Sequence, residues 1–362
     1  MTTALRPSAP PVTTGARALA VLEDLASYVD ARAEAFSARS SWLLAAARHL
    51  PGEPVVLTVR EGDRVVGLAA LAATRHRGAL RVSLLGGDLN DYGQLHHDGP
   101  DAARALAGAL VAWLRQQHRW SLDLGQLAPE DPALAELVRL LPDAVVTPGA
   151  PMPRIEGVGT TYRVKRDRRR KATGAFNHAA RDGLRAERVL LDDLAGLERW
   201  LPALVAVRRE RDHASGRRSQ LDDPGVLAFH ESVLRTAFAA GRGAVHVMLV
   251  EGEVAGFVTV LVDGDTHRLY DGRVAEKWLA YRGGTVCDID AVLRAQDDPA
   301  VHTFDWLRGR TEAKFGNAEV VRSGLRASSS ASVERIDRWE DALRRRVKAA
   351  LPEAAVRRIV SR

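Results

Sequence analysis

Near the end of the chain a carboxylate sits inside an apolar run, Phe304-Asp305-Trp306-Leu307, and a lysine, Lys314, follows it. Burial in such a run raises a carboxyl pKa and suits a general base. Pairing with Arg308, Arg310 or Lys314 would instead make the same residue structural, and both readings are open. Upstream, Tyr270 and Asp271 close a β-rich stretch, where a phenol can protonate a leaving group or simply pack. Tyr281, Arg282, Gly283, Gly284 and Thr285 then lead into a helical pattern. Backbone N–H groups at a helix start point at an anion, the dipole favours phosphate, and Arg282 adds a charged donor. A plain glycine turn has the same sequence. Asp288 and Asp290 in the first helical turns oppose an anion although they suit the dipole. Earlier still, Asp91 and Tyr92, with His96 and His97, occupy a polar segment that could line an acceptor cleft. Adjacent loop histidines are also commonly just solvated, and with no third ligand at metal spacing no metal site is expected.

The elements that must hold these residues occur twice. Helical patterns over 19–36 and 42–50 precede a strand meander at 55–60, 65–73 and 80–85, turned at Glu61-Gly62-Asp63 and Arg77-Gly78. A helix opens at Pro100 and a strand at Trp120. The second passage repeats this order. A basic helix covers 162–182, a second stretch is interrupted or restarted at Pro202, and Asp222-Asp223-Pro224 opens a third. A meander at 244–250, 254–262 and 267–270 follows, then the Gly283-Gly284 loop, a helix over 285–295 and a closing strand over 302–307. Residues 59–71 align with 249–261 with one residue of slippage, and 120–127 align with 303–310, pairing Asp123 roughly with Asp305. We read this as an internal duplication.

A chain of 362 residues has room for two cores, and 46% hydrophobic with 27% charged residues is ordinary globular composition. No apolar run reaches the roughly 18 residues a membrane span needs. Residues 1–15 lack the basic-then-apolar order of a secretion signal. The single Cys287 fits a reducing compartment and excludes a cysteine-rich zinc site, so a cytoplasmic protein is expected. The net charge of +6 favours anionic partners without choosing among them. Arg163, Lys165, Arg166, Arg168, Arg169, Arg170 and Lys171 form the densest basic run, and Arg208, Arg209, Arg211, Arg217 and Arg218 another. Such runs usually make solvated faces, or else contact polyanions. The expected organisation is a flexible tail (1–18), an N-terminal domain (19–150), a C-terminal domain (151–327), and a linker with a basic amphipathic helix (328–362) marked by Val333, Ile336, Trp339, Leu343 and Val347. That helix suits docking on the protein, with peripheral membrane contact as the alternative.

The order helix, antiparallel meander, loop, helix, strand resembles the GCN5-related N-acetyltransferase (GNAT) fold. Two such halves in one chain resemble the Fem-type aminoacyl and peptidyl transferases and the CelD/BcsL-type acetyltransferases. Tyr281-Arg282-Gly283-Gly284 is similar to the group's "spG" stretch. Phe304 to Gly309, with Glu312-Ala313-Lys314-Phe315-Gly316, is similar to its "DfxrG…YKxxf" signature, with Ala313 in place of the aromatic. The pyrophosphate motif R/Q-x-x-G-x-G/A is not matched. The resemblance implies an α/β (α+β) fold of tandem GNAT-like domains, each a mixed, mostly antiparallel sheet flanked by helices. It implies an N- or O-acyltransferase whose donor, acetyl-CoA or another acyl-CoA, lies at residues 281–285 beside a splayed strand. The acceptor, a small molecule or saccharide, would meet Asp91, Tyr92, Asp271 and Arg308. Asp305, Lys314 and Tyr270 are the expected catalytic set, with Lys314 polarising the carbonyl or holding a donor phosphate. The alternatives are aminoacyl transfer from aminoacyl-tRNA, which the Fem likeness allows, and a non-catalytic scaffold binding anions or nucleic acid through its arginines.

Overall fold

The computed structural model describes residues 12–309, 314–330 and 333. In chain order, the first half runs β1 (Val12–Thr14), α1 (Gly15–Asp24), α2 (Ala26–Asp30), α3 (Ser40–His49), β2 (Glu53–Glu61), β3 (Arg64–His76), β4 (Ala79–Leu84), β5 (His96–His97), α4 (Pro100–Arg115), β6 (Trp120–Leu127), α5 (Pro132–Leu140) and β7 (Val145–Pro148). The second runs β8 (Met152–Glu156), α6 (Arg166–Arg181), β9 (Ala186–Leu191), α7 (Leu194–Ala214), α8 (Pro224–Ala239), β10 (Gly243–Val250), β11 (Glu253–Asp263), β12 (Thr266–Val274), α9 (Gly283–Gln296), β13 (Thr303–Asp305), β14 (Ala318–Val320) and β15 (Ser323–Ser328). Residues 12–18, expected in a flexible tail, instead form β1 and the start of α1. Pro202 sits inside a continuous α7 rather than dividing it. Of the expected C-terminal helix only Val333 is described, and it is buried; the rest, including Arg344 to Arg346, lies outside the described residues.

The chain forms two compact units. Among the described residues, one takes those up to Gly149 and those from Val321 onward, the other the span Ala150–Val320. The return of the chain at Val321 corrects the expected domain end at 327, because β15 pairs with β6 and β7 in the first sheet. That sheet has the order β1-β2-β3-β4-β6-β15-β7, with β5 on β3; the second has β14-β8-β13-β12-β11-β10-β9. In both, a meander is followed by a crossover helix and a parallel strand: β4 with β6, β12 with β13. The duplication is therefore structural, and a shared irregularity fixes its register. Val59 faces Gly67 in the first hairpin and Met248 faces Gly256 in the second, each just before a β-bulge. Val59 thus corresponds to Met248, one residue earlier than the Glu-Gly turns suggest.

In the first unit α4 lays Leu106 and Leu110 on Leu57, Ala69 and Leu71. The second sheet is covered on both faces. On one, α9 lies along β10 and β11; on the other, α7 and α8 reach β12. A sheet covered on both sides explains why every residue of β10 is buried.

Candidate active site

The parallel pair β12–β13 is short. Thr266, His267 and Arg268 face Thr303, Phe304 and Asp305, after which β12 continues to Val274 without β13. The two strands therefore part, and the edge of β12 beyond Arg268 is left open on that side. Charges clamp the point of parting. Asp305 pairs in register with Arg268 on one side and Arg154 of β8 on the other. Its Oδ2 accepts from Arg268 at 2.8 Å and stands 3.4 Å from Arg154 Nε. Arg268 also donates to Asp263 at 3.1 Å. Asp305 is wholly buried, and its other oxygen accepts from the Leu307 N–H at 2.8 Å. Leu307 adopts a left-handed φ of 56°, turning the chain away from β12. Of the two readings open for Asp305, this pairing supports the structural one, a carboxylate held by arginine at the root of a fork.

The segment beyond β13 folds back on it. Trp306 meets Phe304 edge to face and Phe315 at a tilt, and its indole N–H donates to the Phe315 carbonyl. Lys314 Nζ donates to the carbonyls of Leu307 and Arg308, at 3.3 and 2.6 Å. Lys314 therefore holds the fork's outer limb while keeping its charge beside it. Arg308 is half-buried on the same limb.

Facing the fork is the start of α9. Ala275 N donates to Ala255 O, and a 3-10 turn over Glu276–Tyr281 leads to Arg282, which is left-handed at φ 52°. The Val286 N–H closes the first helical bond, to Arg282 O, so the N–H groups of Gly283, Gly284 and Thr285 are unpaired among the described residues. Gly283 and Gly256 meet backbone to backbone. A Cβ on Gly283 would lie 2.9 Å from the Ala255 carbonyl, and one on Gly256 would lie 2.6 Å from the Gly283 carbonyl carbon. These two glycines thus serve close approach of helix and strand. Gly256→Ala is expected to lose about 2 kcal/mol, read from a urea midpoint. Tyr281 donates to Asp182 at 2.8 Å, which holds its phenol above the ordinary value. A groove of about 820 Å³ lies along the other end of α9, lined among others by His246 and His267.

On the opposite face, Tyr270 is the extra residue of a bulge, since Thr259 faces Asp271 while Val260 faces Leu269. The bulge lets two successive residues address the same helices. The Tyr270 hydroxyl lies 3.0 Å from His230 Nδ1, with the rings stacked 5.4 Å apart. Burial lowers His230 to about 4, so the imidazole is neutral at pH 7. Asp271 accepts from Arg208 at 2.9 Å and Arg273 at 3.2 Å, and Arg273 also reaches Asp212. Burial pushes Asp271 up, yet the two arginines and His230 outweigh it and leave the carboxyl below its usual range. Arg208 Nε is buried without a hydrogen-bond partner.

The expected acceptor set divides between the units. Asp271 and Arg308 belong to the second, Asp91 and Tyr92 to the first. Tyr92 is wholly buried, its backbone bonded to Ser37 on both sides, so it is a core residue and does not line a cleft. His96 is likewise buried, bonded to Ala38 O, and burial lowers it to about 4. Sequence reasoning missed Arg154, Arg268, Arg273 and His230, and it placed Arg208 in a solvated run. Among the described residues no cluster of three or more His, Cys, Asp or Glu could hold a metal. No described helix is long and apolar enough to cross a membrane.

The fork, the facing helix start and the bulged strand meet in a stretch that sequence comparison also singles out. Residues 166–314 match the acetyltransferase (GNAT) domain family. No curated protein matches the chain. Solved structures that it resembles include FemX (9% identity, 84% of this chain and 95% of that one, TM-score 0.56). L-PGS from Bacillus licheniformis resembles it at 13% identity over 87% and 94%, with a TM-score of 0.51. A conserved protein of unknown function from Bacteroides thetaiotaomicron does so at 10% over 85% and 96%, with a TM-score of 0.55. At such identities the likeness shows the fold, a tandem GNAT-like architecture carrying a GNAT acyltransferase-like domain.

Proposed function

We propose that the protein moves an acyl group, acetyl foremost, from an acyl-CoA to an amine or hydroxyl of a small molecule or saccharide. The observation that carries this is the fork itself: parallel strands that part after three residue pairs, directly before a helix start with three free N–H groups. A fork admits an extended amide-bearing arm along the open edge of β12, and the helix start suits the arm's phosphates. Tyr270, at the bulge, is placed to protonate the leaving thiolate. Asp271, Arg208 and Arg273 form a polar wall for the acceptor. Lys314 brings positive charge to the fork. The single cysteine, Cys287, is buried, and burial raises its thiol well above the ordinary value, so it takes no nucleophilic part. A reducing, cytoplasmic setting is part of this reading.

The test is calorimetry with acetyl-CoA. Thr285→Pro removes one free N–H without breaking a helical bond, and about 10-fold weaker binding is expected. Unchanged affinity in both Thr285→Pro and Lys314→Ala would remove the donor site from this place.

A second reading, aminoacyl transfer from aminoacyl-tRNA, is favoured by one observation. Lys165, Arg166, Arg169, Arg170 and Lys171 are exposed at the start of α6 with no carboxylate partner among the described residues. Cations there oppose the helix dipole, an arrangement that an incoming polyanion would relieve. Charged tRNA binding that weakens steeply with salt, with no acetyl-CoA binding, would favour it over the first.

A further inference from the structure

At the far end of α9, its last turns and the sheet beneath them enclose the groove of about 820 Å³, a volume within the range of small-molecule sites. Register sets the groove's floor. Val260 faces Ala244, and Val258 faces His246, across β10 and β11; Val262 faces His267 across β11 and β12. Strand residues two apart share a face, so both imidazoles look into the groove with Val260 and Val262 between them. His246 is 8% exposed, and neither ring makes a hydrogen bond with a described residue. A polar ring kept from bulk water without a partner is unfavourable for folding, and such broken rules gather at binding sites. The charge of the lining is negative, although the chain carries +6. Its two arginines are already matched, Arg188 by Asp290 at 2.8 Å and Arg294 by Asp192 at 3.3 Å. Asp297 and Asp298 have no ion pair among the described residues. Both are exposed at the C-terminal end of α9, where the helix dipole is negative as well. The field of Asp298 reaches His267 and that of His267 reaches His246, so carboxylate and rings stand within electrostatic reach of one another.

We propose that this groove binds an organic ammonium ion, a protonated primary amine carried on an apolar body. Its three N–H donors match in number the acceptor nitrogens of His246 and His267 and the Asp298 carboxylate. Val260, Val262 and Leu293 receive the apolar part. Burial lowers His246 to about 4 and lowers His267 as well, so at about pH 7.5 both rings are neutral and each has a nitrogen free to accept. Arg294 acts on both rings against a cation, but with Asp192 beside it. An anion meets Asp297 and Asp298, and an alcohol forgoes their attraction. The site lies on the α9 face of the sheet, whereas Tyr270 and Asp271 reach α8 and α7 from the other. It is therefore separate from the acceptor wall and does not rest on the reading of the fork.

The experiment titrates the full chain with hexylamine at about pH 7.5, with no acyl donor present. It reads calorimetry and the ring resonances of nitrogen-15-labelled histidine. Saturable binding is expected, about 10-fold or more tighter than that of hexan-1-ol or hexanoate. The His246 and His267 resonances should move while those of His230 and His96 stay. His246→Phe keeps an apolar ring, removes both nitrogens and assigns the His246 resonance; binding about 10-fold weaker is expected. Asp298→Asn changes an exposed side chain and keeps an oxygen for the Ala300 N–H. It should weaken binding about threefold, and added salt should weaken the wild type in the same direction. Equal affinity for hexylamine, hexan-1-ol and hexanoate would overturn the proposal, as would His246 and His267 resonances that hexylamine leaves unmoved. Wild-type affinity in both variants would overturn it too. Should His246→Phe not fold, Asp298→Asn and the wild-type resonances decide alone. Acetyl-CoA binding, present or absent, leaves this result untouched, so the groove and the fork are tested apart.

Discussion

Asp305→Ala is expected to destabilise the protein by about 3–5 kcal/mol, the range for removing one partner of a buried ion pair. The loss follows from what remains. Arg268, 4% exposed, would keep Asp263 but lose the oxygen at 2.8 Å, and Arg154 would lose its neighbour at 3.4 Å. The Leu307 N–H would also lose its acceptor, at a left-handed residue whose carbonyl Lys314 alone would then hold among the described hydrogen bonds. Asp305→Asn keeps a carbonyl for Leu307 and should lose less. The structural and catalytic roles of this carboxylate separate cleanly in measurement. If Asp305 clamps the fork, urea unfolding shows the loss in both variants, and acetyl-CoA binding weakens as the strands lose their fixed parting. If it were the base, Asp305→Asn would unfold like wild type and bind donor like wild type while kcat collapsed.

That residue also shows how far the sequence could be read. A carboxylate among Phe304, Trp306 and Leu307 announces burial, and burial leaves two outcomes, a raised pKa or a partner. The partner was Arg268, separated from it by a helix and a loop and brought opposite only by parallel pairing. Local pattern cannot express that. The meanders were legible because alternation and glycine turns are local signals, and α4 and α9 because their apolar positions recur at helical spacing. The strands that close the two sheets were not. β8, β14 and β15 have 5, 3 and 6 residues, too few to show a period, and β15 returns to a sheet laid down some 200 residues earlier in the chain. Nothing in the residues around Gly256 says why a glycine stands there. Its reason, contact with the backbone of Gly283, exists only once α9 has crossed the sheet. Asp288 looked like an objection to the phosphate site, since sequence tells only that it is near a helix start.

The second large effect is expected at Tyr270. Tyr270→Phe should lower kcat with acetyl-CoA by about 100- to 10,000-fold, with little change in donor affinity, because it removes one proton and no packing surface. The hydrogen bond to His230 decides how that proton is held. His230 is neutral down to about pH 4, so one ring nitrogen carries hydrogen and the other does not. If Nδ1 carries it, the imidazole donates to the phenol oxygen and stabilises the phenolate left when the proton goes to the thiolate. The distinguishing test uses the leaving group. An acetyl thioester of an acidic aryl thiol departs without needing a proton, so Tyr270→Phe should regain most of its rate with that donor. A merely structural tyrosine would leave the variant equally slow with both thioesters, and the phenol would then be part of the wall rather than the acid.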